Sequence, residues 1–298
     1  MFAELVGGWT PSLGLLVETN PAGAHNVLKI IPTIYYPPLE SAVRVPRIYQ
    51  PGALSAGQSI DLDAQATVHL TKVLRLRVGD ALLVFNGEGG EYEATVSVIE
   101  RRSVSIQLGK ALDRNVESPL ELVLVQGVSR GERMDYTVQK AVELGVNQIV
   151  PVNTERTVVN LKGDRLIRRQ QHWQAIANGA CEQSGRNVVP EVRPIVSLQQ
   201  WLDESESDPG SGLKLVLHHR AQTSLIDLPG PKGSVTVLIG PEGGLAASEI
   251  KAAELAGYLP LCLGPRVLRT ETAAVAALSV LQWLWGDFTD NDTSPGSL

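Results

Sequence analysis

The chain has 298 residues, 43% hydrophobic and 19% charged, with a net charge of −6. That length supports more than one domain with its own core, and no apolar run reaches the roughly 18 residues that a membrane-spanning helix needs. Two cysteines far apart in sequence, Cys181 and Cys262, exclude a disulfide framework, and five histidines without ligand spacing give no metal motif, so a reducing, cytoplasmic setting is expected.

Residues 1–43 are rich in Pro and Gly, lack a sustained hydrophobic period, and carry Glu4, Glu18 and Glu40 against Lys29. They are expected to form an extended, disordered leader, and they lack the basic start of a secretory signal. The pattern begins afresh at "RVPRIYQP", from Arg44. "AQATVHLTKVLR" (Ala64 to Arg75) reads as a helix. Short strands then follow: "ALLVF" (Ala81 to Phe85), a turn at "NGEGG" (Asn86 to Gly90), and the alternating "EYEATVSVIE" and "SVSIQL". This predicts a small β-barrel-like domain over residues 44–114.

From residue 115 to 286 strands alternate with longer helical periods. "LELVLVQGV" is a strand, "ERMDYTVQKAVELG" a helix and "NQIVPV" a strand. The helix "GDRLIRRQQHWQAIANGACEQSG" places Leu166, Trp173, Ile176, Ala177 and Ala180 on one face and Arg165, Arg168 and Arg169 toward another. "LKLVLHH", "VTVLIG" and "LPLCLG" are further strands, the first pointing His218 and His219 to opposite faces, with helices from about Ser248 and Thr270. The alternation predicts an α/β domain with a mainly parallel sheet, whose ligands sit beyond the carboxyl ends of the strands. "LDESESDPGSG" (Leu202 to Gly212) is a net acidic stretch, and residues 287–298 form an acidic tail. Against these acidic stretches, arginine clusters at Arg44/Arg47, Arg75/Arg77, Arg101/Arg102, Arg130/Arg133 and Arg165/Arg168/Arg169 predict a phosphate-facing surface.

Two glycine-proline turns end strands of this second domain. "LIGPEGGLAASEI" (Leu238 to Ile250) is neither a Walker loop nor a Rossmann fingerprint. It is a loop whose bare backbone lets a ligand approach, with Glu242 offering a negative charge to a cation. "LCLGPRVLRTETA" (Leu261 to Ala273) repeats the device and sets Arg269, Thr270 and Glu271 at a helix start. The helix beyond, "TAAVAALSVLQWLW", is apolar nearly all round, so it is buried either inside the fold or against another subunit.

Together "RVPRIY", "GERMDYTVQKAVELGV", "EQSGRNVVPEV", "LIGPEGG" and "LGPRVLRTETA" resemble the bacterial ribosomal small subunit methyltransferase E family, of the SPOUT class of knotted methyltransferases, from about Arg44 to Gly286. The resemblance implies S-adenosylmethionine-dependent methylation of N3 of one uridine in 16S rRNA. It also implies a PUA-like RNA-binding β-barrel domain ahead of a SPOUT-type α/β domain with a C-terminal trefoil knot, and a homodimer.

On that reading Leu217, Ile239, Leu263 and Leu268 form an apolar slot for the cofactor. Gly240, Pro241, Glu242, Gly243, Gly264, Val267 and Thr270 complete the site, and the turns are bare because a ligand replaces their side chains. Arg269 stabilises negative charge on the uracil carbonyl oxygens as the N3 proton leaves, while Glu271 or Glu242 accepts the proton or orients Arg269. Contacts to the 16S rRNA or small ribosomal subunit are expected from Arg44, Arg47, Tyr49, His69, Arg75, Arg130, Arg133, Arg168 and Arg186, with no membrane and no metal involved. Ala246 departs from the family pattern, standing where a helix-capping Ser is typical. Two other functions remain compatible with the residues: ribose 2′-O-methylation on the same fold, and a non-catalytic RNA-binding role in ribosome assembly that needs no cofactor.

Overall fold

The protein is described by a computed structural model over residues 45–158, 163–206, 212–225, 228 and 230–289. The expectations for the leader, for Arg44 and for the tail beyond residue 289 lie outside those residues.

Period-two alternation builds the first sheet. Strands β1 (Arg47–Tyr49), β2 (Ser59–Asp61), β3 (Ala81–Phe85), β4 (Glu91–Ile99) and β5 (Val104–Leu112) are ordered β1-β3-β4-β5-β2. Leu82 and Val84, Ala94 and Val96, and Val104, Ile106 and Leu108 all point to one buried core. The residues between them, such as Glu93 and Gln107, face outward. The neighbours from β3 through β2 are antiparallel, and only β1 joins in parallel.

The predicted helix is present but changes pitch. α1 (Ala64–Val68), capped by the Asp63 carboxylate accepting from the Ala66 N–H at 2.7 Å, passes into a π-helical turn over His69–Leu74. That turn ends at Arg75 with φ of 57°, a left-handed position unusual for a residue with a side chain.

The second sheet holds β6 (Leu122–Gly127), β7 (Gln148–Asn153), β8 (Glu191–Val192), β9 (Val196–Ser197), β10 (Leu213–Leu217), β11 (Val235–Ile239) and β12 (Leu259–Leu261). Its order is β12-β10-β11-β6-β7-β8, with β9 also on β7, and these pairings are parallel. The helices between and after the strands are α2 (Glu132–Glu143), α3 (Asp164–Ser184), α4 (Leu198–Glu206), α5 (Ala247–Leu255) and α6 (Thr270–Trp285).

Strands covered on both faces need apolar residues on both, and two clusters result. Leu122, Leu124, Ile149, Val237 and Ile239 pack with Trp173 of α3, Val138 of α2 and Leu278 of α6. Val125, Val150 and Leu238 pack with Trp201 and Leu202 of α4 and Ala253 of α5 on the other side. Helix α4 was not anticipated from the sequence, where residues from Leu202 stood out only as net acidic. Leu198, Trp201 and Leu202 supply a short buried stripe, and the Trp201 indole N–H donates to the Tyr258 hydroxyl at 2.8 Å.

One connection positions the site. β11 is followed by α5 and then by β12, which pairs with β10 rather than β11. The chain from Cys262 to Arg269 therefore returns across the carboxyl ends of β10 and β11 before α6 begins beside α2.

Hydrogen bonds from a buried arginine of β1 join the two sheets, and two expected RNA contacts turn out to be buried at that junction. The Arg47 guanidinium pairs with Glu91 at 2.9 Å, donates to the Cys181 carbonyl at 2.7 Å and to Asn187, and lies 4.5 Å from the Phe85 ring centroid. It is 7% exposed. Arg186 donates to Glu117 at 2.7 Å and to the Val142 and Val146 carbonyls at 2.9 and 2.8 Å. Neither is a surface cation. Each satisfies carbonyls and a carboxylate that burial would otherwise strand, which corrects the assignment of Arg47 and Arg186 to phosphate binding. The β3–β4 turn adds to the same junction, with the Gly89 N–H donating to the Asn187 carbonyl at 3.1 Å and the Val189 N–H to the Gly87 carbonyl at 3.0 Å.

Candidate functional site

A cavity of about 460 Å³ opens at the carboxyl ends of β10, β11 and β12, within the roughly 300–1,000 Å³ usual for small-molecule sites. Leu217 ends β10 and Ile239 ends β11, and both line it. Gly240, Pro241, Glu242 and Gly243 follow from the first turn. The second turn supplies Leu263, Gly264, Val267 and Leu268, and the start of α6 supplies Arg269, Thr270 and Glu271. The residues expected to hold the cofactor and to act on the substrate thus share one cavity, although they come from three strands separated by up to 54 positions (Leu217 to Glu271).

The bareness of the first turn has a different main cause from the one expected. A Cβ on Gly240 would meet the Leu245 backbone N at 2.8 Å, and one on Gly127, at the end of β6, would meet Pro241 at 2.5 Å. The turn is folded tightly on itself and against its neighbouring strand, closed by the Gly244 N–H donating to the Pro241 carbonyl at 2.8 Å. A side chain is excluded at Gly240 by protein backbone before any ligand arrives.

Beneath the cavity a small polar network ties the two turns together. The Thr270 hydroxyl donates to the Gly240 carbonyl at 2.7 Å and accepts from the Gln126 amide at 2.9 Å. Both side chains are nearly inaccessible, Gln126 completely so, and the Gln126 amide N–H and Thr270 hydroxyl bonds hold the two turns together, while Gln126 Oε1 is without a partner among the described residues. Thr270 is therefore a structural pin as well as a lining residue.

The charges at the mouth are unequal in their engagement. Glu242 accepts from the Arg130 N–H at 2.8 Å and from the Arg133 guanidinium at 2.9 Å. Burial pushes its carboxyl up, but the hydrogen bonds from Arg130, its own backbone N–H and Arg133 outweigh this and hold it below the usual carboxylate range. Such a group stays anionic and is a poor proton acceptor. Glu271 lies 3.9 Å from the Arg133 Nε through one oxygen. Its other oxygen, Oε2, is buried without a hydrogen-bond partner among the described residues. Arg269 is exposed at the N-cap of α6 and has no ion pair among the described residues.

Several lining residues were not anticipated. His218 and His219 follow β10 rather than lying within it, so both reach the cavity, with their rings edge-on at 5.2 Å. Burial, followed by His219 and Arg220, lowers the His218 pKa. Arg156 donates to the Gly243 carbonyl at 3.0 Å from the turn after β7, and Cys262 and Arg266 come from the second turn. The position of Arg266 and Cys262 beside the Gly-Pro pair was a usable signal. Nothing local in sequence marks Arg156, which is brought in by strand order.

The remaining candidate RNA contacts are scattered. Arg75 and Arg168 are exposed on the first sheet's domain and on α3, and Arg130 is exposed near the cavity mouth. His69 pairs with Glu182 at 3.2 Å, and Tyr49 packs on Phe85 with ring centroids 5.8 Å apart.

Comparison with known proteins adds a consistent picture. A family model described as an RNA methyltransferase domain matches residues 116–282, more than half of the chain, and one described as an RNA methyltransferase PUA domain matches residues 62–109. The chain is 35% identical over 246 residues to the ribosomal RNA small subunit methyltransferase E of Buchnera aphidicola subsp. Schizaphis graminum, covering 83% of this chain and 99% of that protein. Among solved structures it is similar to a Legionella pneumophila methyltransferase in complex with bound SAM, with a TM-score of 0.78 and 43% identity over 82% of this chain and 100% of that one. It is also similar to a ribosomal RNA small subunit methyltransferase E from Neisseria gonorrhoeae bound to S-adenosyl methionine, with a TM-score of 0.76, 41% identity and the same two coverages.

Proposed function

The chain belongs to the ribosomal RNA small subunit methyltransferase E family, and we propose that it transfers a methyl group from S-adenosylmethionine to N3 of a uridine in the 16S rRNA of the small ribosomal subunit. The observation that carries this reading is the convergence on one cavity of Arg269, which has no ion pair among the described residues, and Glu271, one of whose oxygens has no hydrogen-bond partner among them. Methylating an N–H of uracil asks for those two groups: a cation for charge spreading onto the ring carbonyl oxygens, and an acceptor for the departing proton.

The cavity suits the cofactor by its own chemistry. Leu217, Ile239, Leu263 and Leu268 offer apolar contact to an adenosyl group, and the side-chain-free backbone of Gly240, Gly243 and Gly264, with Pro241, lines the same space. Val267 and Thr270 border the same space. When bound, S-adenosylmethionine would supply a methyl group on a sulfonium whose sulfur leaves with the bonding pair as a neutral thioether, while N3 gives up its proton to a nearby base. Arg269 stabilises the developing oxyanion, in the manner of an oxyanion hole. Glu271 takes the proton, and Glu242 is assigned a structural role because its carboxylate is already held by Arg130 and Arg133.

Three wider features accompany this assignment. The two matched families and the two sheets support an RNA-binding domain over residues 44–114 and a methyltransferase domain over 115–286. The return of the chain from β12 across β10 and β11 supports the expected trefoil knot. A homodimer is supported by the outer side of α2 and α6, where Tyr136 is 46% and Trp283 59% exposed. The surface cations Arg75, Arg130 and Arg168 are the candidates for RNA phosphates. Among the described residues no helix is long and apolar enough to cross a membrane.

Mass spectrometry of rRNA nucleosides from cells with and without the gene tests the reading. The expected result is loss of N3-methyluridine with the gene absent. Loss of a ribose-methylated nucleoside instead would overturn the choice of atom. An absence of heat on titration with S-adenosylmethionine would favour a non-catalytic RNA-binding protein.

A further inference from the structure

We infer that Arg133 is a positioning residue for the methyl transfer, holding the Glu271 carboxylate at the cavity mouth beside the fixed Glu242. The inference rests on the proposed role of Glu271 as proton acceptor.

Three elements meet at this guanidinium. Arg133 lies in the first turn of α2, Glu242 in the turn after β11, and Glu271 in the first turn of α6. The Arg133 Nη1 is 2.9 Å from Glu242 Oε1, and its Nε is 3.9 Å from Glu271 Oε1. Glu242 is fixed independently by the Arg130 N–H at 2.8 Å. It serves as the anchor, and Arg133 transmits its position to Glu271.

Two carboxylates converging on one cavity repel, and a cation between them offsets that repulsion. A planar guanidinium suits that task because its donors diverge in a fixed fork. Arg133 and Glu271 also line both the main cavity and a neighbouring groove of about 400 Å³ between α2 and α6. The pair thus stands at the boundary through which a base would approach. The guanidinium is 45% exposed, so it is not a core strut of the kind formed by Arg47. Its Nη1 and Nε are directed to protein carboxylates, which argues against the phosphate contact expected from sequence.

The test uses the full-length protein with S-adenosylmethionine and small ribosomal subunits lacking the modification. At saturating levels of both, Arg133→Ala is expected to lower kcat about tenfold or more. Both Michaelis constants should stay within about twofold and the salt dependence of RNA binding should not change. Arg133→Lys should recover much of the lost turnover, because a point charge restores attraction without the fork. Glu242→Gln, which weakens the anchor, should lower kcat less, and its effect should not add to that of Arg133→Ala.

Unchanged kcat in Arg133→Ala, or a raised Michaelis constant for RNA with a salt slope smaller by about one, overturns the inference in favour of a docking role. If Arg133→Ala does not fold, wild-type kcat in both Arg133→Lys and Glu242→Gln overturns it equally. The product of the wild-type enzyme separates the two levels of the argument. A methyl group found elsewhere than N3 removes the proposed function and this inference together. N3-methyluridine from the wild type, with undiminished turnover in Arg133→Ala, removes this inference alone.

Discussion

Arg47 and Arg269 carry the same charge and differ in what surrounds it, so their substitution should have different consequences. The Arg47 side chain is 7% exposed and Glu91 beside it is 1% exposed. Arg47→Ala leaves the buried Glu91 carboxylate with only the part-exposed Arg114, 3.6 Å away, and should cost about 3 kcal/mol of stability, read as a lower midpoint in thermal or urea unfolding. A variant as stable as the wild type would show that solvent reaches Glu91 readily. Arg269 is exposed and unpaired among the described residues, so its removal strands nothing. Arg269→Ala should leave the unfolding midpoint nearly unchanged and lower turnover at saturating RNA by roughly 10²-fold or more. A raised Michaelis constant for RNA at constant turnover would instead make Arg269 a docking residue. Burial, not residue type, separates these two roles.

At the scale of elements, the site depends on how strands end. The turn after β11 leads into α5, whose N-cap is Ala246 with φ −71° and ψ 158°. This is the backbone of a good cap without a side chain to complete it. Half of a capping box is present, since Glu249 accepts from the Ala246 N–H at 2.8 Å and also from the Glu155 N–H at 2.7 Å. Ala246→Ser adds an acceptor for the N–H at the third helical position and should stabilise the protein by about 0.5–2 kcal/mol. Differential scanning calorimetry would read this as a raised Tm. A lowered Tm would mean that the buried site beside Leu245 cannot take a hydroxyl. The same tertiary demand explains α4, where nine residues form a helix because Trp201 and Leu202 have a sheet face to cover.

For the whole molecule, burial of two ionisable groups sets an alkaline limit. Burial pushes the Cys181 thiol from 9.0 up to about 12, and burial likewise pushes the Tyr258 hydroxyl from 10.0 to about 12 despite the bond from Trp201. In the unfolded chain these groups ionise at their ordinary values, whereas the folded protein keeps them protonated. Their contribution to stability is therefore whole below pH 9.0 and is lost as pH rises toward about 12. Urea midpoints should fall over that range, and less steeply in Cys181→Ala. Equal slopes in the two proteins would rule Cys181 out as a cause. The apolar outer face of α6 leads to a prediction at the same scale: light scattering at micromolar concentration should give the mass of a dimer. A monomer that still methylates RNA would remove the second subunit from the reading.

The sequence by itself determined the alternation of strands and helices from Ser118 onward and the strand-rich domain before it, because periods of two and about 3.6 residues are local properties of the chain. It also carried the two Gly-Pro turns and the family resemblance, and with them the residues that line the cavity from Leu217 to Glu271. Tertiary structure decided what each charge does. Arg47 and Arg186 look like surface arginines in sequence and become buried pins, because carbonyls of α3, of α2 and of the loop after it lie within their reach. Gly240 is bare because Leu245 folds back on it, and His218 and His219 share a cavity because β10 stops at Leu217. The proposed division of roles between Glu242 and Glu271 was open in sequence, since both are single acids near a Gly-Pro turn. It depends on Arg130 and Arg133, more than 100 positions away in the chain, and only strand order in a parallel sheet brings that distance down to 2.9 Å.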